Sequence, residues 1–245
     1  MIVLFTDFSL KGPYVGQMKA VINHKSPNSV VIDLMHDVPT FAIQPASYLL
    51  ASLVQTLPKN SVFLAVIDPG VGSTERKGCV IKTDHAWFIG PDNGLFDRIM
   101  MESNNFKIWE INKPDGFISN TFHGRDIFAP VAAQIDQDNI YNAKSYTKKL
   151  NKSDWPDSLQ QVIYCDHYGN VMTGVKANSI STSDLVEIND HQLKYARTFS
   201  EVPQGQLFWY INSNQMLEFS VNQGRADQLL KSVIGNPFNI KKISR

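Results

Sequence analysis

Two cysteines in 245 residues, Cys79 and Cys165, are too few for a disulfide framework and too far apart for a metal motif. Both lie in apolar, strand-like runs, where ordinary buried thiols sit. Net charge is missing as well: 23 Lys and Arg balance 23 Asp and Glu, so no polyanion is attracted and no nucleic-acid partner is expected. The basic end, Lys241-Lys242-Ile243-Ser244-Arg245, reads as a solvated tail. No apolar run approaches membrane-spanning length, which removes the membrane as an expected partner. The first residues, Met1-Ile2-Val3-Leu4-Phe5-Thr6-Asp7, lack a basic region and soon reach an acid. They predict a first strand rather than a signal peptide, and a cytoplasmic protein. Internal repeats and low-complexity tracts are also missing.

Familiar cofactor and nucleophile signatures fail. Gly70 and Gly72 begin a G-x-G, but Glu75 stands where a dinucleotide fingerprint needs its third glycine. There is no P-loop, no H-E-x-x-H and no G-x-S-x-G. What is present is 43% hydrophobic and 19% charged residues, enough for one large domain or two modest ones with real cores.

The pattern splits into two parts. Ile2–Phe5, Ser29–Leu34 and 61–67 are apolar, strand-like runs. Tyr14, Val15, Met18, Val21 and Ile22 recur at helical spacing between the first two, and Ile43, Ala46, Leu49, Leu50 and Leu53 between the second and third. Strand–helix–strand–helix–strand predicts parallel strands, giving an α/β domain over 1–150 with a mostly parallel sheet and helices on both faces. Further strands are expected at Cys79–Lys82, Ala86–Ile89 and Lys107–Ile111, a short helix at Leu95–Met101, and a helix through Ile127–Ile135. Asp136 to Pro156 is polar and aperiodic and reads as a domain boundary. Beyond it, residues 158–245 show short alternating strands near 160–165, 171–176, 184–189, 192–196, 206–211 and 216–221, with one helical stretch at 226–231. This predicts a small antiparallel β-barrel or sandwich.

The run 61–67 ends in Asp68-Pro69-Gly70-Val71-Gly72, a carboxylate at the carboxyl end of a buried strand, where open α/β sheets bind ligands. Glycine lets the backbone approach a ligand there, and Arg76 brings a fixed positive charge. Asp7, Asp92, Asn93, His123, Arg125 and Asp126 lie at other strand ends or turns. Taken singly, each is also an ordinary cap, turn or ion pair: Asp92-Asn93 fits a Pro-Asp-Asn-Gly turn and Asp126 fits a helix cap. Asp68, Arg76 and His123 stand beside glycine-rich backbone, and together an acid, an arginine and a histidine orient a water and take its proton. In the second part, Asp166-His167-Tyr168-Gly169-Asn170 is either a hairpin turn or a place where Tyr168 stacks on a planar ring while Asn170 reads its edge. Tyr210-Ile211-Asn212-Ser213-Asn214 is a similar polar turn, and His24, His36, His85 and His191 read as surface or structural.

Together the motifs resemble one family, the S-adenosylmethionine (SAM) hydroxide adenosyltransferases, relatives of fluorinase and chlorinase. The resemblance rests on Thr6-Asp7-Phe8 with Tyr14-Val15-Gly16-x-Met18-Lys19, Asp68-Pro69-Gly70-Val71-Gly72 with Arg76, and Gly90-Pro91-Asp92-Asn93-Gly94. It continues through Thr121-Phe122-His123-Gly124-Arg125-Asp126-Ile127-Phe128-Ala129-Pro130, Asp166-x-Tyr168-Gly169-Asn170 and Asn212-Ser213, nearly the whole chain in order. It implies an α/β domain, a β-barrel domain, and a homotrimer binding SAM between the first domain of one subunit and the second of its neighbour. The implied reaction is in-line attack of water or hydroxide on the 5′ carbon of SAM, giving adenosine and L-methionine without metal or cofactor. Asp68, Arg76 and His123 match the water-activating set and Asp7 the carboxylate on the ribose hydroxyls. Asp166 and Asn170 match groups at the methionine end, Tyr168 the aromatic beside adenine, and Ser213 a further substrate contact. The chain departs from the pattern at Ser9, where glycine is usual, at Tyr168, where phenylalanine is common, at Gly174, where asparagine is expected, and at Asn214, where glycine or arginine is usual.

Three other readings compete: a halide adenosyltransferase on the same scaffold, a non-catalytic SAM or adenosine binder, and a metal-dependent phosphoesterase with Asp7, Asp68, Asp92 and His123 as ligands.

Overall fold

The apolar run at the amino terminus forms strand β1 (Ile2–Thr6), all five residues buried. The structure, a computed structural model, describes residues 1–73, 77–112, 116–137, 141, 143–150 and 155–242. Arg76 with its neighbours Thr74 and Glu75, parts of the polar stretch after Asp136, and the last three residues of the basic tail lie outside the described residues. Two compact units divide the chain, Met1–Leu150 and Asn151–Arg245.

In the first unit β1 is followed by α1 (Tyr14–Lys25), β2 (Val31–Met35), α2 (Ile43–Val54) and β3 (Val62–Val66). Then come β4 (Gly78–Thr83), β5 (Trp87–Pro91), α3 (Asp97–Glu102), β6 (Phe106–Glu110) and α4 (Ala129–Asp136). Among the described residues the strands form one six-stranded mixed sheet in the order β2-β1-β3-β5-β4-β6. The first four are mutually parallel, with β1, β2 and β3 joined by the helical crossovers α1 and α2, and β4 runs antiparallel to both β5 and β6. A tight turn after β4 permits that reversal: the Thr83 hydroxyl receives the Ala86 N–H at 3.0 Å and closes it.

Alternation along the strands gives the sheet two apolar faces. Ile2, Leu4, Val62 and Leu64 pack with Met18 and Ile22 of α1 and with Ala132 and Ile135 of α4. On the other face Phe63 stacks on Phe88 at 5.1 Å, and Phe88 meets Phe96 at 5.9 Å. There α2 and α3 join where the Arg98 N–H donates to Ser47 Oγ at 3.2 Å and its guanidinium lies over Tyr48. Each such fully buried aromatic contributes about 1.5–3 kcal/mol over exposure.

The polar stretch expected to separate the domains belongs in part to the first unit. Ser145 bridges Trp109, the Tyr146 hydroxyl donates to Asp92 Oδ2 at 2.6 Å, and Lys148 reaches Asp92 at 2.6 Å and Asp97 at 2.7 Å. Charge pairing leaves no hydrophobic period, which is why the stretch reads as linker.

The second unit holds β7 (Leu159–Cys165), β8 (Val171–Lys176), β9 (Leu185–Ile188), β10 (His191–Leu193), β11 (Leu207–Ile211), β12 (Met216–Val221), α5 (Ala226–Leu229) and β13 (Asn239–Lys241). The expected barrel is not closed. Among the described residues there are two open antiparallel sheets, β11-β12-β8-β7 and β10-β9-β13. Single bridges, Tyr195 to Trp209 and Gln161 to Pro237, link them where a barrel needs continuous ladders. Pro237 has no N–H to extend such a ladder.

Gly174, an apparent departure from the family pattern, has a steric cause. It faces Leu159 across β7 and β8, beside irregular register, and a Cβ there would stand 2.6 Å from Leu159 Cβ and 2.8 Å from its carbonyl oxygen. Gly174→Ala is therefore expected to lower stability by about 1–3 kcal/mol, read as a fall in the urea midpoint. An unchanged midpoint would show that these strands separate without cost.

Candidate active site

The pairing of β1 with β3 is parallel and in register from Ile2 opposite Val62 to Thr6 opposite Val66. Asp7 follows Thr6 directly and Asp68 lies two residues after Val66, so two carboxylates emerge at the carboxyl ends of neighbouring strands, both half-buried. Around Asp68 the chain turns tightly: the Gly70 N–H donates to Asp68 Oδ1 at 3.2 Å and the Val71 N–H to its carbonyl at 3.3 Å. Gly72 has φ +85°, and a Cβ there would sit 2.4 Å from the Asn120 carbonyl oxygen, so this glycine is required. Its close approach brings the segment before His123 against the Asp68 turn.

His123 opens a wide π-turn, Gly124–Phe128, that leads into α4. The sequence predicts an uninterrupted helix here. Pro130 lacks the N–H that an α-turn would give to the carbonyl four residues back, and the turn widens ahead of it. Asp126 does not cap the helix. It receives the Ser119 N–H at 2.8 Å and the Arg125 Nε–H at 2.6 Å, and the guanidinium, in hydrogen bond, holds its carboxyl below the usual range. Arg125 also donates to Gln17 Oε1 at 2.8 Å and lies over Phe122, bracing the turn against α1.

A cavity of about 370 Å³ gathers Asp7, Asp68 and His123 with the aromatics Tyr14, Phe41 and Phe122. Phe122 meets Phe8 and Tyr14 edge to face at 5.9 and 5.2 Å, and Phe8 lies tilted against Tyr14 at 5.8 Å. Burial pushes the Asp7 carboxyl above its ordinary value against the pull of the Phe41 N–H, which donates to Oδ2 at 3.1 Å; the Asp68 charge adds to the rise. Periodicity gives no signal for Phe41, a two-thirds exposed ring on backbone with φ +62°.

Asp92 is turned away, into the pairing with Tyr146 and Lys148. The four-ligand metal set is thus not assembled, and no group of three or more His, Cys, Asp or Glu side chains is gathered among the described residues. Asn93 ties Ile67, at the end of β3, to Leu95: its Nδ2 donates to the Ile67 carbonyl at 2.8 Å and its Oδ1 receives the Leu95 N–H at 3.1 Å. The ordinary-turn reading holds for Asn93, whereas Asp92 is held by its ion pair. Cys79 is buried and Cys165 half-buried; burial pushes the Cys79 thiol well up and the Cys165 thiol to about 11, which disfavours the reactive thiolate.

In the second unit, Asp166, Tyr168, Asn170 and Ser213 line one cavity of about 900 Å³ with Tyr210 and Glu218. Asp166 receives the Asn170 N–H at 2.9 Å and its Nδ2 at 2.8 Å, and Ser220 Oγ donates to Asn170 Oδ1 at 2.7 Å. Gly169 has φ +86° with Asp227 2.6 Å from where a Cβ would stand. Tyr168 projects, three-quarters exposed. Sequence reasoning missed Glu218, which is buried in β12 and receives the Tyr210 hydroxyl and, at 2.7 Å, Asn212 Nδ2. Burial raises its pKa against these donors. An acid in a mostly apolar strand was the available signal.

Ser9 explains the family's usual glycine: its φ is +59°, left-handed backbone that costs an ordinary residue about 1–2 kcal/mol. Ser9→Gly is expected to raise the unfolding free energy by about 1 kcal/mol, measured in denaturant; a loss would mean that the Lys11 N–H bond to Ser9 Oγ outweighs the strain.

Comparison with known proteins adds the following. Residues 2–144 match the SAM hydroxide adenosyltransferase N-terminal domain and residues 160–239 its C-terminal domain. The chain is 30% identical to an (R)-S-adenosyl-L-methionine hydrolase of Thermus thermophilus over 98% of both chains. It is 31% identical to one of Methanocaldococcus jannaschii, over 94% of this chain and 91% of that one. A fluorinase of Actinopolyspora mzabensis is more distant, 20% identical over 99% of this chain and 94% of its own. The crystal structure of an uncharacterized conserved protein from Thermotoga maritima superposes with a TM-score of 0.85 at 32% identity, covering 99% of this chain and all of that one.

Proposed function

The chain belongs to the SAM hydroxide adenosyltransferase family, and from that membership we propose that it hydrolyses S-adenosyl-L-methionine to adenosine and L-methionine. The observation that carries the reading is the shared cavity: Asp7, Asp68 and His123, distant in sequence, line one space in the first unit.

The chemistry suits such a site. Water loses a proton as its oxygen bonds to the 5′ carbon, and the carbon–sulfur electron pair passes to sulfur. The sulfonium leaves as a neutral thioether, so no acid is needed for departure. What must be supplied is an oriented, desolvated nucleophile. We assign that task to Asp68, Arg76 and His123, without a metal, and the ribose hydroxyls to Asp7. Asp166, Asn170 and Ser213 are assigned to the methionine end and nearby polar atoms, and Tyr168 to adenine. The relatives named above are hydrolases of the (R) epimer, and we propose the same sulfonium configuration here. A halide adenosyltransferase is the weaker reading, because the halogenating relatives are the more distant ones.

Purified protein incubated with SAM, chelator and no halide is expected to yield adenosine and methionine in equal amounts, from the (R) epimer. His123→Ala should lower kcat by about 10²–10⁴. A requirement for added metal, or a halogenated nucleoside formed only with halide, would sink the proposal; retention of SAM without turnover would make the protein a binder.

The homotrimer implied by the resemblance, with each site completed by the second unit of a neighbouring subunit, belongs to the same proposal, as does a cytoplasmic location. Its support is the exposed apolar rim of the first cavity, Tyr14, Phe41 and Val71. No helix among the described residues is long and apolar enough to cross a membrane. Light scattering should give three times the 27.6 kDa chain mass; a monomer at assay concentration that still turns over would refute the shared site.

A further inference from the structure

His36 belongs to none of the motifs, yet it is one of the few buried polar side chains of the first unit, 5% exposed. It stands just after β2 and touches the turn that carries Asp7 at two points. Its Nδ1 lies 2.8 Å from Thr6 Oγ1, and its carbonyl receives the Ser9 N–H at 2.7 Å. Nε2 is 3.2 Å from Asp33 Oδ1, in a close but bent contact. Burial works against the Asp33 charge, but hydrogen bonds from Lys19, at 3.0 Å, and His36 more than offset it, so its carboxyl stays below the ordinary range.

The carboxylate, though it makes no hydrogen bond of good geometry to Nε2, orders the ring nitrogens. A carboxylate beside Nε2 favours the hydrogen there, which leaves Nδ1 to accept the Thr6 hydroxyl. Thr6 Oγ1 in turn receives the Phe8 N–H at 3.3 Å, across the residue whose carboxylate faces the cavity. The same segment beyond His36 holds Asp7 directly: Val38 donates its N–H to the Thr6 carbonyl at 3.3 Å and Phe41 its N–H to Asp7 Oδ2. Lys19, Asp33, His36 and Thr6 thus form a chain of contacts ending at the Asp7 turn.

We propose that His36 is a positioning residue for Asp7, setting the direction of its carboxylate and so the protein's affinity for a ribose diol. This rests on the assignment of Asp7 to the ribose hydroxyls made above. A group acting this way changes binding of ligands that carry the diol and leaves those without it alone. A group that merely supports the fold weakens both alike.

The test titrates adenosine and 2′,3′-dideoxyadenosine by calorimetry against the full chain and its variants, with steady-state kinetics on SAM alongside. His36→Phe, which removes both ring contacts, is expected to weaken adenosine about tenfold, the loss of roughly one hydrogen bond, with dideoxyadenosine unchanged. KM for SAM should rise by a similar factor while kcat stays within about twofold. His36→Asn, which keeps an acceptor near the Nδ1 position, should recover most of the adenosine affinity. Asp33→Asn, at a more exposed site that tolerates substitution, should show a smaller loss of the same kind and keeps the test open if His36→Phe does not fold. Equal weakening of both nucleosides, or no weakening of adenosine, overturns the positioning role. Wild-type protein that turns over SAM yet binds both nucleosides equally overturns it as well, leaving the hydrolase reading intact. Wild-type protein that neither binds adenosine nor cleaves SAM takes down both.

Discussion

The parallel pairing of β1 with β3 is the constraint on which the first site depends. Five consecutive register pairs, all buried, end at Thr6 opposite Val66. One step of slip would move every side chain of a strand to the other face, so the apolar packing on both sides holds this register against alternatives. Asp7 and Asp68 are neighbours because of it. The remaining parts come to that edge: the Gly72 turn draws in the segment before His123, and the segment from His36 to Phe41 closes over Asp7.

The site joins opposing electrostatic demands. Asp7 is half-buried, which works against its charge, and a neighbouring carboxylate adds to that cost. Near His123 the balance is reversed, with Asp126 held ionised by Arg125 and the Ser119 amide. A cationic sulfonium substrate suits the first environment, since its positive charge offsets the repulsion between the two carboxylates. The second unit repeats the theme with Asp166 and Glu218, two acids on one cavity, each satisfied by amide or hydroxyl donors.

What the sequence shows depends on whether a feature is local. The run ending at Ile67 and the helical spacing of 43–54 announce themselves, because burial imposes a period on neighbouring residues. The glycine-rich turns are equally legible, and the chain's family is readable from them. Lys148 pairs with Asp92 across 56 positions, and no period links them. His36 follows an unremarkable strand, and only the fold reveals that its ring reaches Thr6. Barrel closure failed as an expectation for a related reason: short alternating strands show that sheets form, whereas closure is decided at the edges, here by single bridges and a proline. Arg76 lies outside the described residues, so its place rests on the motif.

The π-turn between His123 and α4 has a consequence for how such sites change over time. In an α-helix one residue corresponds to about 100° of rotation. A turn widened by roughly one residue therefore sets the imidazole's bearing relative to α4 by a count of residues, not by their identity. The side chains of Arg125 and Asp126 hold the turn in place, but loss of a single residue within Gly124–Phe128 would swing the ring off the cavity with those side chains still present.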